Sequence, residues 1–198
     1  MENNINFLKG ISLSDKQLEQ MTGCKVLLYE ELYKYETLEF LLDANNGKVI
    51  LLYISKDDPD YGHWCCILKT NYGKDKKECV EWSDSYGLKP DEEMKFSSAV
   101  HGQQFNYLSL LMLDSPYVLT YNNHKFQQEK NNINTCGWHC ACRLLNNNKS
   151  LDGYKKYLDA VIKESPEIKN YDDAVCVLMY DSYKKAKSTV GGKYFFKY

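Results

Sequence analysis

Three strand-like runs follow one another through residues 48–84 with only short polar breaks between them, and few folds accommodate that arrangement. "KVILLYIS" (48–55) is β-branched and almost wholly apolar, as a central strand would be. After the turn "KDDPDYG" comes "HWCCILKT" (63–70), then the polar loop "NYGKDKK" and an alternating run, "ECVEWSD" (78–84). Consecutive strands joined by short loops predict an antiparallel meander. Helical patterns flank it. "SLSDKQLEQMTG" carries a capping box in Ser14 and Gln17 and a stop at Gly23, and "ETLEFLLDANNGK" reads as a second short helix. "DEEMKFSSAVHGQQFNYLSLLMLDSP" is mostly helical in pattern, "YVLTYNN" returns to strand, and a further short strand is expected at "KFQQ". Three helices are predicted at the C-terminal end: "CGWHCACRLLNNN", "SLDGYKKYLDAVIKES" with Ser150 as its cap, and "YDDAVCVLMYDSYKKA". This order predicts an α+β fold, a mainly antiparallel central sheet flanked by helices, with residues 1–198 forming a single domain.

Composition removes several functional classes. Formal charge is −2, so no global field draws the chain to nucleic acid or membrane, and the lysine runs at 74–77 and 184–187 read as solvated faces. No run of about 18 apolar residues exists to span a bilayer. The N-terminus "MENNINFLKG" lacks the basic and apolar regions of a secretory signal, so the eight cysteines are expected to be reduced thiols in an intracellular setting. Lysine outnumbers arginine 24 to 1, with 16 Asn and 17 Tyr, a bias that fits an AT-rich genome.

The densest chemistry is "NTCGWHC" (134–140). Structural zinc is not expected, because Cys136, Cys140 and Cys142 share an apparent helix, and adjacent Cys65 and Cys66 point to opposite faces of a strand. The alternative is a nucleophile. Cys136 follows a polar loop and opens a helical run, and aligned peptide dipoles at a helix start favour thiolate over thiol. Gly137 would let a substrate backbone approach, and the Cys136 N–H could face a developing oxyanion. Cys140 and Cys142 read as small buried hydrophobes.

A thiol nucleophile needs an imidazole and a group to orient it. His139 rides the same helix and reads as a partly exposed structural histidine; His101 and His124 stand in loop-like contexts. His63 opens the second strand and Asp84 ends the third, so an antiparallel pairing can bring the two to one sheet edge. Without its partner, Asp84 reads as an Asx-turn in "SDSYG". Glu78 and Glu81 come too early in the strand to compete with it.

"GHW" (62–64), the acidic residue in "SDSYG" (83–87), an upstream glutamine and "CGWHC" (136–140) together resemble the adenovirus-type maturation proteases and the related SUMO-specific, ubiquitin-like proteases. The resemblance covers roughly residues 48 to 146. It implies a papain-like cysteine protease fold with the site residues in the order His, Asp, Gln, Cys. Cys136 then resembles the nucleophile at a helix start, His63 its base and Asp84 the orienting carboxylate. Trp64 would pack beside the site, and a glutamine would serve the oxyanion. Gln128 and Gln127 stand eight and nine residues before Cys136, slightly further than the family's spacing; Gln128 is favoured, with Gln127 the alternative.

By the same resemblance, the substrates are capsid precursors cut after glycine during particle maturation, in the virion and the host cytoplasm. The chain's small size and codon bias favour the viral branch, carried by virophages, polinton-like elements and large DNA viruses. A short peptide activator is a further implication; the DNA that assists adenovirus enzymes gains no support from the net charge. No metal or other cofactor is expected. Gly191-Gly192 reads either as a mimic of a cleavage site or as a flexible turn before the tail. Two other readings stay open: a protease for a SUMO-like or ubiquitin-like modifier, and a non-catalytic capsid-accessory protein that keeps the fold.

Overall fold

The computed structural model describes residues 2–58, 61–70, 78–97 and 103–189. His101, the lysine run 74–77 and Gly191-Gly192 lie outside these residues. The predicted meander forms. β2 (Lys48–Ile54), β3 (Gly62–Thr70) and β4 (Cys79–Ser83) pair antiparallel in that order. Two strands extend it in a different sense. β1 (Lys25–Leu28) pairs parallel to β2, and β5 (Val118–Tyr121) parallel to β4. The five-stranded sheet is therefore mixed, antiparallel only at its centre. Each parallel neighbour returns to the sheet through a crossover: the 3-10 helix Tyr29–Lys34 and α3 (Leu38–Asp43) lead from β1 to β2, and α4 (Tyr107–Leu113) lies between β4 and β5. β1 carries no pattern beyond four residues, too short for periodicity to separate from a loop.

Helices cover both faces of the sheet. On one side pack α2 (Asp15–Thr22), α5 (Cys136–Leu145), α6 (Leu151–Glu164) and α7 (Tyr171–Thr189), around Leu52, Trp64, Cys66 and Leu68. On the other, α3, α4 and the 3-10 helix pack against Leu51, Tyr53, Cys65 and Ile67. Alternation along β3 thus sends Cys65 and Cys66 into different cores. α1 (Glu2–Lys9), preceding α2, packs on α7. The capping box at Ser14 forms as predicted, and Gly23 closes α2 at φ 69°, a left-handed conformation that glycine adopts freely. The mostly helical middle does not form as a unit. Among the described residues it holds only the 3-10 helix Glu92–Lys95 and α4. "KFQQ" is no strand either, since the N–H groups of Phe126 and Gln127 both donate to the Ser85 carbonyl.

One ion pair ties α5 to the sheet. Arg143, the chain's single arginine, is buried and grips Glu81 of β4 through two bonds of 2.7 Å. Its remaining donors reach the carbonyls of Asn146 and Lys149. A buried charge is tolerated only when its donors are satisfied in this way, and loss of either partner is expected to cost about 3–5 kcal/mol. Among the described residues, no helix is long and apolar enough to cross a membrane.

Candidate active site

β3 begins at Gly62, where a Cβ would run into the Tyr53 carbonyl and the Leu52 side chain of β2. A glycine lets the strands close there and leaves His63 at the end of the sheet. β4 ends at Ser83, opposite Cys66, so Asp84 emerges beside His63. His63 Nε2 donates to Asp84 Oδ2 at 3.2 Å. The same oxygen accepts from Cys65 Sγ at 3.3 Å, and Oδ1 accepts the Tyr86 N–H at 2.5 Å. The Asx-turn and the histidine partnership expected as alternatives therefore coexist, one on each carboxylate oxygen. Asn122, itself buried, holds the Asp84 carbonyl through its amide at 2.5 Å. Tyr86 stacks on the His63 ring at a centroid distance of 5.0 Å.

Burial pulls the His63 pKa down, but the adjoining Cys65, the Asp84 charge and hydrogen bonds with Asp84 and Cys136 carry it well above the usual histidine range. Cys65 is fully buried, and that burial raises its own pKa far up, so it is a neutral thiol at physiological pH. The charge that keeps the ring protonated is therefore the Asp84 carboxylate. Burial likewise raises the Asp84 pKa, but the His63 charge, its hydrogen bond and the Tyr86 and Cys65 donors reverse this and hold it below the usual range. Both directions describe an imidazolium–carboxylate pair.

All eight thiols are free; seven are buried, and Cys136 alone is half-buried. Cys136 is the first residue of α5. Thr135, at the cap position, makes no side-chain bond to the helix start. Its hydroxyl donates instead to Asp172 of α7 at 2.5 Å. The first-turn N–H groups of α5 thus lack the usual side-chain cap beside the sulfur. Asp172 also accepts from His139 Nε2 at 3.1 Å and from the Gln128 N–H at 3.2 Å. His139, expected to be partly exposed, is buried because α7 covers that face of α5.

His63, Trp64, Tyr86, Glu93, Gln127 and Cys136 line one cavity of about 520 Å³. Gln127 is buried there, its carbonyl accepting from Ser85 Oγ at 2.7 Å and its amide donating to the Tyr86 hydroxyl at 3.0 Å. Gln128, the favoured oxyanion donor, is not in the cavity wall. Its backbone N–H is drawn to Asp172 instead. Trp64 lines the cavity with its indole N–H donating to the Leu13 carbonyl at 3.1 Å. Gly137, expected to face substrate, is buried outside the cavity wall. A Cβ there would meet Leu13 and Trp64 side-chain atoms at 3.2 Å, so the glycine serves the packing of α5 on β3. Glu81 is engaged by Arg143 and cannot replace Asp84.

The sequence did not single out Glu93 or Tyr86. Tyr86 stands two residues after Asp84 in "SDSYG" and was within reach of the motif, whereas Glu93 sits in an acidic 3-10 helix with no pattern of its own. A ring nitrogen of His63, Cys65 Sγ and an Asp84 oxygen lie within 4.8 Å of one another, close enough to surround a metal ion. Hydrogen bonds account for this cluster, since Cys65 keeps its proton and Asp84 already accepts three donors.

These features define an α+β domain in which a half-buried thiol at a helix start shares a cavity with a histidine–aspartate pair. The chain is 35% identical over 161 residues to "Uncharacterized protein V9" of Sputnik virophage, an alignment covering 78% of this chain and 87% of that protein. It belongs to the same family as that virophage protein. No protein-family model and no solved structure matches it.

Proposed function

We propose that this protein is a cysteine endopeptidase with the papain-like layout of the adenovirus-type and ubiquitin-like proteases. The supporting observation is that Cys136, the one half-buried thiol, opens an uncapped helix in the same cavity as the His63 imidazole, whose Nε2 Asp84 holds. With Nε2 committed to Asp84, Nδ1 is the nitrogen left to hold the proton that Cys136 gives up, so the resting pair is a thiolate beside the imidazolium. Attack of Sγ on a peptide carbonyl forms the C–S bond and moves charge onto oxygen. That oxygen would be met by the Cys136 N–H and the Gln127 amide. His63 then protonates the departing amine, and water hydrolyses the thioester with His63 as base. The virophage relative supports a viral setting; capsid precursors as substrates and the virion as a location follow from the resemblance to the maturation proteases.

A modifier-directed protease is the second reading, favoured by Tyr61 and Phe96, both 56% exposed at the cavity wall, as apolar contacts for a folded partner. The test is cleavage of glycine-containing peptides alongside a modifier-fused reporter. Wild type should cut one class, and Cys136→Ala should cut neither while melting at an unchanged temperature. Asp84→Ala should lose less activity than Cys136→Ala. Cleavage by Cys136→Ala at the wild-type rate defeats the proposal.

A further inference from the structure

A second buried carboxyl faces the same histidine. Glu93 Oε1 lies 3.7 Å from His63 Nε2, the nitrogen that already donates to Asp84, and Glu93 is 4% exposed. It does not arrive there by accident of a loose loop. Two residues earlier, Asp91 is buried and accepts from the Tyr29 hydroxyl at 2.6 Å and from the Ser109 N–H at 2.8 Å, anchoring the 3-10 helix to α4 and to the opposite core. The Lys89 N–H donates to Glu92 at 2.8 Å and steadies the entry to that helix.

Two carboxylates and one imidazolium in a buried space leave one negative charge uncompensated. Like charges so close cannot both ionise freely, and the pair lowers its energy by retaining one proton. We propose that Glu93 is a positioning residue that shares this proton with Asp84, gripping the aspartate when protonated and holding His63 charged when ionised. This deepens the cysteine-protease reading and rests on it for its consequence, though not for its measurement.

The other groups facing Glu93 support the assignment of roles. Tyr86 from the β4 turn, Tyr53 from β2 and Cys65 from β3 have raised pKa values and are neutral at physiological pH, the first pushed up to about 12. On its own helix, Lys95 lies 3.9 Å from Glu92 in an exposed pair. Among the described residues, His63 is thus the cation available to Glu93. Burial first, then Asp84, push the Glu93 carboxyl up to about 7 against the pull of His63. Asp84, with three donors, keeps the negative charge, and Glu93 keeps the proton on the acid side. As pH rises through neutrality Glu93 ionises, and its new charge opposes loss of the proton from His63.

The test is the His63 titration followed by NMR on isotope-labelled imidazole in the intact chain, which has four histidines. Wild type should show a chemical-shift inflection near pH 7 from Glu93, with ring deprotonation at higher pH. In Glu93→Gln, which keeps shape and hydrogen-bonding capacity, that inflection should vanish and ring deprotonation should move down by about one pH unit. The alkaline limb of Cys136 alkylation should move with it, about tenfold slower labelling at a fixed pH on that limb. Glu93→Asp, which keeps the charge, should retain the inflection, and it carries the test should the glutamine variant not fold. Superimposable His63 titrations in wild type and Glu93→Gln, or an inflection missing from both wild type and Glu93→Asp, overturn the proposal. Because the NMR readout needs no substrate, absence of peptide cleavage by wild type would count against the protease reading alone.

Discussion

Among the described residues are two histidine–aspartate pairs, and they differ in what surrounds them rather than in their own geometry. His63 and Asp84 are 3.2 Å apart at the end of the sheet; His139 and Asp172 are 3.1 Å apart between α5 and α7. The His139 pair is sealed. Asp172 spends its oxygens on Thr135, His139 and the Gln128 N–H, and His139 Nδ1 points at no partner. It holds the start of α5 in place and offers nothing to a ligand. The His63 pair opens on a cavity that a half-buried thiol also lines and has a second carboxyl in reach. A histidine–carboxylate contact is therefore only a scaffold until a reactive atom and a route to solvent are added.

Alanine at each histidine should separate the two pairs most widely. His63→Ala is expected to reduce cleavage about 10²–10⁴-fold per folded molecule. His139→Ala should leave activity per folded molecule nearly intact but cost about 2–4 kcal/mol in urea denaturation, because a buried carboxylate loses a donor and the core gains a void. Equal activity losses in the two variants would erase the distinction.

The glutamines sharpen the comparison at a smaller scale, since Gln127 faces the first pair's cavity and Gln128 leans its backbone on the second pair. Removal of one oxyanion donor costs about 10²–10³-fold in kcat, and that loss is expected for Gln127→Ala in steady-state kinetics. Gln128→Ala should be close to wild type, because its contact with Asp172 is made by the backbone. A reversed result would return the oxyanion role to Gln128.

The smallest effect is on stability against pH. Asp84 has a folded-state pKa below its unfolded value, so its contribution is present above about pH 3.9 and is lost as pH falls through the folded value. His63 has a folded-state pKa above its unfolded value, so its contribution is complete below about pH 6.5 and is lost as pH rises through the folded value. The stability gap between wild type and Asp84→Asn should be widest between these limits and narrow on both sides in urea titrations. A gap that stays constant with pH means the pair is not ionised.

Several parts of this structure were legible in residue order. The apolar run 48–55 and its two successors form the sheet's centre, Ser14 and Gln17 cap α2, and Cys136 opens a helix. The pairing of His63 with Asp84 followed from strand ends meeting in an antiparallel register. Strand β5 was legible in "YVLTYNN", but β1 was not, because four residues carry too little periodicity, and the parallel pairing of both lies across crossovers. Gly137 was misread for a related reason. Its neighbours Leu13 and Trp64 come from distant segments, and a glycine at a helix start reads equally well as substrate access or close packing.

The sequence by itself determined the central strands, the capped helix α2 and the three C-terminal helices, with the residue types at their ends, because periodicity, caps and turns act over a few residues. Tertiary structure alone decided which of two adjacent glutamines enters the cavity, which of two histidine–aspartate pairs is sealed, and that Glu93 reaches His63 from thirty positions away. Those outcomes depend on burial and on contacts between distant segments, and packing creates both only when the helices close over the sheet.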